Sequence, residues 1–198
     1  MSESTDDLYA RAVAAADAAG GRLMLPDITD WDTFPFEGDL RVKPLLPPTE
    51  VDRPQVGIDE ADCWRCQQGL EGTIWSDLHW ALAALQKPSG LPVVVILQPR
   101  DHHDIHDLPA ELAAGLGPMM IRVERAVRSV GAIGRVHICR WGDGSAHFHL
   151  WFMARPARLP QTVDSFAAIW DDILPPLPDD VWRTNLATVA AAMDADPG

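Results

Sequence analysis

Ser145-Ala146-His147-Phe148-His149-Leu150-Trp151-Phe152-Met153-Ala154-Arg155-Pro156 alternates residue by residue. A β-strand sends successive side chains to opposite faces. The run therefore predicts a strand with His147, His149, Trp151 and Met153 on one face and Phe148, Leu150, Phe152 and Ala154 on the core face. Two imidazoles two residues apart on a rigid element suit a metal site or a nucleophile better than an apolar core. The plainer alternative is a strand face carrying two hydrogen-bonded histidines. Just upstream, Gly142-Asp143-Gly144-Ser145 is a glycine-rich turn whose backbone N–H groups can approach an anion. Pro156 cannot donate to a ladder and ends the pairing.

Working back from this stretch, Arg135–Arg140 predicts the penultimate strand. Before it, Leu112, Leu116, Met119, Met120, Val123 and Val127 recur at helical spacing, with Pro109 in the first turn and Gly131 as the stop. Pro92–Pro99 predicts a strand buried on both faces, because its β-branched residues fall on both. The alanines of His79–Gln86 favour helix on propensity, but its short length and flanking turns favour a strand, which is the reading adopted. Gly72–Asp77 predicts a further strand leading into a turn. Beyond the histidine stretch, Val163–Ile173 and Asp179 to about Met193 predict helices separated by Pro175-Pro176. The expected organisation is an arm over residues 1–57, a compact domain over 58–157 and a helical extension over 158–198. In the arm, Asp6 or Asp7 is expected to cap a helix that ends at Gly20-Gly21, and Arg22–Pro26 to be a short strand or an extended arm. Trp31, Phe34 and Phe36 are aromatic anchors in an irregular segment, and Pro44, Pro47, Pro48 and Pro54 make the next part linker-like.

With 198 residues, 47% hydrophobic and 23% charged, the chain can bury a real core. Sixteen basic against twenty-nine acidic residues give a net charge of −13, which argues against binding to a DNA or RNA phosphate backbone. A small anion held by a glycine turn and one or two arginines is compatible with that balance. No apolar run is long enough for a membrane span, and the acidic N-terminus is unlike a signal peptide, so a cytoplasmic location is expected.

Cys63, Cys66 and Cys139 do not make a disulfide framework. Cys63-x-x-Cys66 has the spacing that chelates Zn²⁺, which then needs two more ligands. A redox dithiol is the rival, but no βαβ pattern surrounds the pair, and two incidental cysteines remain the bland reading. His102, His103, His106, His147 and His149 supply partners for a metal. His102 and His103 are adjacent, so at most one of them is expected to bind; taken alone, with Asp101, Asp104 and Asp107 around them, a solvated polar loop is the better explanation. Trp75, Trp80 or Trp141 can line a slot for a nucleobase.

The order of these parts is distinctive. Cys63-x-x-Cys66 precedes a hairpin, then a strand runs into Pro99-Arg100-Asp101-His102, then Asp107–Leu112 opens a helix, then His147-x-His149 leads to Arg155-Pro156. Over residues 60–157 this resembles the histidine-triad (HIT) superfamily, including its galactose-1-phosphate uridylyltransferase branch. The resemblance implies an α+β fold, an antiparallel sheet of about five strands with one long helix packed on it. It further implies a nucleotidyl hydrolase or nucleotidyltransferase acting on a nucleoside phosphate conjugate through a histidyl-nucleotide intermediate. The middle histidine of the family pattern is the nucleophile, and His149 stands there. Zinc-containing members imply a structural Zn²⁺ on Cys63, Cys66, His102 (or His103) and His147. Substrate contacts are expected from Gly144, Ser145, Trp151 and Arg155. Trp151 occupies the third triad position, where the family has His and the uridylyltransferase branch Gln. An indole donates one hydrogen bond and is neither acid nor base. The alternative is accordingly a non-catalytic HIT-like module that binds a nucleotide or a protein and keeps the zinc for stability. The implied partners are a nucleotide or nucleotidyl conjugate and a second copy in a homodimer.

Overall fold

The computed structural model describes residues 4–44 and 46–196 of the chain; the acidic start at Met1–Glu3, Leu45 and the last two residues lie outside them. Two compact units are separated, Met1–Pro54 and Gln55–Gly198.

In the first unit, α1 spans Thr5–Ala18. Its cap is Ser4 rather than Asp6 or Asp7: the Ser4 hydroxyl accepts from the Asp7 backbone N–H (3.1 Å) while Asp7 reaches back to the Ser4 N–H, a reciprocal capping box. Arg22–Pro26 forms no strand. Its Arg22 Nη1 donates to the Val42 carbonyl instead (2.9 Å). Phe34 and Phe36 pack edge to face at 5.8 Å.

The second unit is built on an antiparallel sheet of five strands with helices, the α+β architecture expected. In chain order its elements are α2 (Trp64–Gln68), β1 (Thr73–Ser76), β2 (Trp80–Ala84), β3 (Val94–Pro99), α3 (Ala110–Arg128), β4 (Ile133–Cys139), β5 (Leu150–Pro156), α4 (Ala167–Ile173) and α5 (Asp179–Ala195). The strand order is β1-β2-β3-β5-β4. The ambiguous alanine-rich run is thus a strand, placed by the Asp77 carboxylate, which accepts from the N–H groups of His79 and Trp80 to tie off the hairpin. Helical propensity lost to the ladder and to burial of Leu82.

One face of the sheet carries the main core. Leu82, Val95, Leu97, Leu150, Phe152 and Ala154 meet Leu112, Met119, Val123 and Val127 of α3, with Leu186, Val189 and Met193 of α5 alongside. The period-2 reading of the histidine stretch holds for Phe148 through Ala154. The opposite face, which we call the outer face, is partly covered where Val94 and Met153 pack with Leu91, Ala168 and Leu174. Elsewhere it presents Ala83, Ile96, Gln98 and Trp151.

The third predicted helix is shorter than expected at its start. Val163–Phe166 makes a tight turn in which Asp164 has φ +61°, so α4 begins only at Ala167. This helix is held to the β2–β3 connection by Asp171, whose carboxylate accepts from the Leu91 N–H at 2.9 Å. Gly90 makes that approach, because a Cβ there would lie 2.6 Å from the Asp171 carbonyl oxygen and 2.7 Å from Leu174 Cβ. Gly90→Ala is therefore expected to lower stability by about 1–3 kcal/mol through overpacking, measured as a lower urea midpoint at unchanged slope. Among the described residues, no helix is long and apolar enough to cross a membrane.

His137 on β4 offers a second stability test. Burial, aided by the nearby Arg155 and Arg135 charges, pushes its pKa below the ordinary histidine value. The unfolded chain then takes up a proton at a pH where the folded chain does not. The His137 contribution is complete above the unfolded pKa of about 6.5 and is lost as pH falls below it. Acidification from about pH 7.5 to pH 5.5 should lower Tm less in His137→Asn than in the parent chain.

Candidate functional site

Cys63, Cys66, His102 and His147 come together, with their ligand atoms all within 4.8 Å of one another. They arrive from three places: the turn into α2, the loop after β3, and the segment before β5. Cys63 is 1% exposed and His147 2%. Gly57 lets the chain pass behind the thiols, since it has φ +69° and a Cβ there would lie 2.9 Å from Cys63 Cα.

The spacing and the tautomers both fit a tetrahedral Zn²⁺. Bonds of about 2.3 Å to sulfur and about 2.0–2.1 Å to nitrogen at the tetrahedral angle place S and N roughly 3.5–3.6 Å apart. Nδ1 of His147 lies 3.5 Å from Sγ of both Cys63 and Cys66, and Nδ1 of His102 lies 3.4 Å from Sγ of Cys66. The far nitrogens are committed elsewhere. His102 Nε2–H donates to the Ile58 carbonyl and His147 Nε2–H to the Pro99 carbonyl, each at 3.0 Å. Those bonds hold both rings in the tautomer whose Nδ1 lone pair faces the thiols, the arrangement that outer hydrogen bonds give metal-ligating histidines. Burial, reinforced by the neighbouring Cys63, pushes the Cys66 thiol up to about 12, and burial also pushes His147 down. Burial thus favours the neutral His147 imidazole and the protonated Cys66 thiol until a cation supplies the charge. The cluster fits a structural zinc site. His103 stands apart, with Nδ1 4.0 Å from the Asp107 carboxylate.

The segment carrying His147 and His149 is not yet strand, although the alternation predicted one from Ser145; β5 begins at Leu150. Its backbone groups are used elsewhere. Ala146 N–H donates to Val56 O (3.1 Å), Val56 N–H to Gly144 O (3.1 Å) and Phe148 N–H to His103 O (2.7 Å), while His147 N–H donates to Ser145 Oγ (3.2 Å). The glycine turn is thus clamped by Val56, and Gln55 Nε2 adds a bond to the Gly142 carbonyl (2.6 Å). Beside it Arg140 pairs with Asp104 at 2.8 Å, an interaction that, with the Ile105 N–H, outweighs burial and holds the Asp104 carboxyl below its usual range.

His149 is half-buried, and its Nδ1–H donates to the His147 carbonyl at 2.8 Å. This leaves Nε2 as the lone-pair nitrogen. In the strand that follows it, Leu150 pairs with Leu97 of β3 and Trp151 with Cys139 of β4. Gln98 is 6% exposed. With its amide oxygen turned inward it accepts from Arg65 Nε (2.5 Å) and Nη2 (3.2 Å), and Arg65 also donates to Thr73 Oγ1 (2.8 Å) and the Glu71 carbonyl (3.1 Å). Next to this arginine a cavity of about 880 Å³ is lined by Trp64, Arg65, Ala83, Ile96, Gln98 and Trp182, among others.

Arg65 and Gln98 carry no sequence signal of their own. They are found only once the chain is folded and α2 meets β3. The other predicted residues divide. Gly144 and Ser145 stand in the clamped turn, and Trp151 follows His149 on the outer face, where it packs edge to face with Trp141 at 6.0 Å. Arg155 is not brought to this group. It lies six residues along β5, roughly 20 Å from His149 at 3.3 Å per residue, with its guanidinium folded over Gly134. Of the tryptophans offered for a base slot, Trp75 and Trp80 are core residues and Trp141 is exposed.

No protein-family model matches the chain. No curated protein matches it either. Among solved structures 27 chains match. A zinc-bound histidine triad family protein from Mycobacterium smegmatis is 20% identical, with a TM-score of 0.50 over 69% of this chain and 99% of that one. A histidine triad protein from Bradyrhizobium japonicum is 22% identical (TM-score 0.45; 62% and 87% covered). A uridylyltransferase mutant is 17% identical (TM-score 0.43; 67% and 47% covered). The likeness is one of fold: this chain has the HIT-like α+β fold.

Proposed function

We propose that the protein is a zinc-stabilised nucleotidyl hydrolase or nucleotidyltransferase that works through a histidyl-nucleotide intermediate on His149. The observation that carries this reading is the Nδ1–H bond from His149 to the His147 carbonyl, which in the neutral ring makes Nε2 the lone-pair nitrogen. A neutral imidazole with one nitrogen so committed attacks an α-phosphorus with the other, dividing one hard displacement into two. Gly144 and Ser145 are assigned to the phosphate, their N–H groups stabilising charge as it develops. Arg65, already holding Gln98, Thr73 and Glu71, acts as a positioning residue for the outer face at β3. Cys63, Cys66, His102 and His147 would hold the zinc, which supplies structural bracing only. A cytoplasmic homodimer remains part of the proposal.

Incubation with nucleoside phosphates labelled at the α-phosphate tests it. An acid-labile, base-stable label on the protein that is lost in His149→Ala supports the reading. Nucleotide binding with no adduct and no turnover across a broad panel would favour the alternative, a non-catalytic module. Trp151 is the residue that favours that alternative, because it cannot protonate a leaving group.

A further inference from the structure

Gln55 and Val56 fall in the arm expected from sequence, yet the second compact unit begins with them. Together with Gly57 and Ile58 they make a strap across the glycine turn. Gln55 Nε2 donates to the Gly142 carbonyl (2.6 Å) and Val56 N–H to the Gly144 carbonyl (3.1 Å), while the Val56 carbonyl accepts from Ala146 N–H (3.1 Å). The strap is itself anchored. Gly57 packs against Cys63, and the Ile58 carbonyl accepts from His102 Nε2 at 3.0 Å.

Peptide planarity converts these contacts into a direction. In a trans peptide the C=O of one residue and the N–H of the next point opposite ways, and no peptide bond among the described residues is cis. The Gly142 carbonyl faces Gln55, so the Asp143 N–H faces away from the strap. The Gly144 carbonyl faces Val56, so the Ser145 N–H faces away as well. Among the described residues neither N–H has an acceptor. Two unpaired main-chain donors two residues apart and turned to one side suit an oxyanion. Gly144 stands between them, and a Cβ there would meet nothing within 4 Å, so a ligand can come close to the backbone. Asp143 is exposed and brings a negative charge to the turn. Against it, the Arg140 guanidinium, held by Asp104 at 2.8 Å, lies over Gly142, where a Cβ would come within 2.6 Å of Cζ.

Resting on the nucleotidyl-transfer reading, we infer that Gln55 and Val56 are positioning residues for the phosphate. By holding the Gly142 and Gly144 carbonyls they turn the N–H groups of Asp143 and Ser145 to the same side, as a pair of donors to the phosphate oxygens. Gln55 does not touch the ligand. It fixes the plane of the peptide whose other end does.

The full-length zinc-loaded chain tests this in two ways. In ¹H–¹⁵N spectra, added inorganic phosphate should move the Asp143 and Ser145 amide protons downfield, and the Ala146 amide, already committed to Val56, should shift far less. Gln55→Met then keeps the side-chain volume and removes the donor. Its affinity for nucleoside 5′-monophosphates should fall by about tenfold, the upper range for one lost hydrogen bond, with zinc content and affinity for the parent nucleosides unchanged. A purely structural role for Gln55 would weaken nucleoside and nucleotide alike. Asp143 and Ser145 amides indifferent to phosphate, an unchanged nucleotide affinity in Gln55→Met, or equal losses for nucleoside and nucleotide would overturn this inference and leave the histidyl adduct standing. Absence of both phosphate binding and adduct would overturn the nucleotidyl-transfer reading and this inference with it.

Discussion

His149→Ala is expected to abolish the acid-labile adduct and to lower turnover by about 10⁴-fold or more, as removal of a covalent nucleophile does when nothing replaces it. The loss should be chemical and not structural. His149 is half-buried, its one recorded hydrogen bond is to the carbonyl of His147, and it lies outside the main core. The variant should keep its zinc content and its circular dichroism spectrum. Added free imidazole should restore part of the lost turnover by filling the space the side chain vacates. Retention of the labelled adduct in His149→Ala would remove His149 as the nucleophile.

Cys63→Ser should have the second large effect, on stability. Its thiol is among the most buried side chains of the cluster, and a serine hydroxyl is a poor substitute for a thiolate. Loss of a structural metal belongs with the few changes that cost more than about 4 kcal/mol. At about 2–4 °C per kcal/mol for a domain of this size, the melting midpoint should fall by roughly 10 °C. Zinc measured by elemental analysis should drop well below one per chain. Where the variant does not accumulate folded, chelator titration of the parent chain gives the same readout. Because the thiols give up protons on binding metal, zinc should also be lost more readily as pH falls. Full zinc content in Cys63→Ser would refute the site.

The alternation of large apolar side chains from Phe148 to Ala154 was legible because burial on one sheet face imposes a period of two. The same period could not mark where pairing begins. Ser145–His149 alternates equally well, yet its N–H groups go to Val56, His103 and the Ser145 hydroxyl, long-range partners that leave no trace in local pattern. The metal cluster was legible in its residue types and in their order along a known family pattern. Which of two adjacent histidines joins it depends on loop geometry, and Nδ1 of His102 is the one that reaches Cys66. The carbonyls of Ile58 and Pro99 that orient both rings are main-chain atoms, identical at every position, so no composition announces them. Arg65 meeting Gln98 is of the same kind: a contact between α2 and β3 that exists only once the sheet has formed.

His147 and His149 are separated by a single residue, and the carbonyl of the first receives the ring N–H of the second. Any free energy spent fixing one is shared with the other, and thermodynamic reciprocity makes that exchange symmetric. If metal at the first imidazole sharpens the grip of the second on a phosphate, occupancy by that phosphate must tighten metal binding by the same factor. Where zinc is scarce, it would then be held most tightly by the copies of the protein that have phosphate bound.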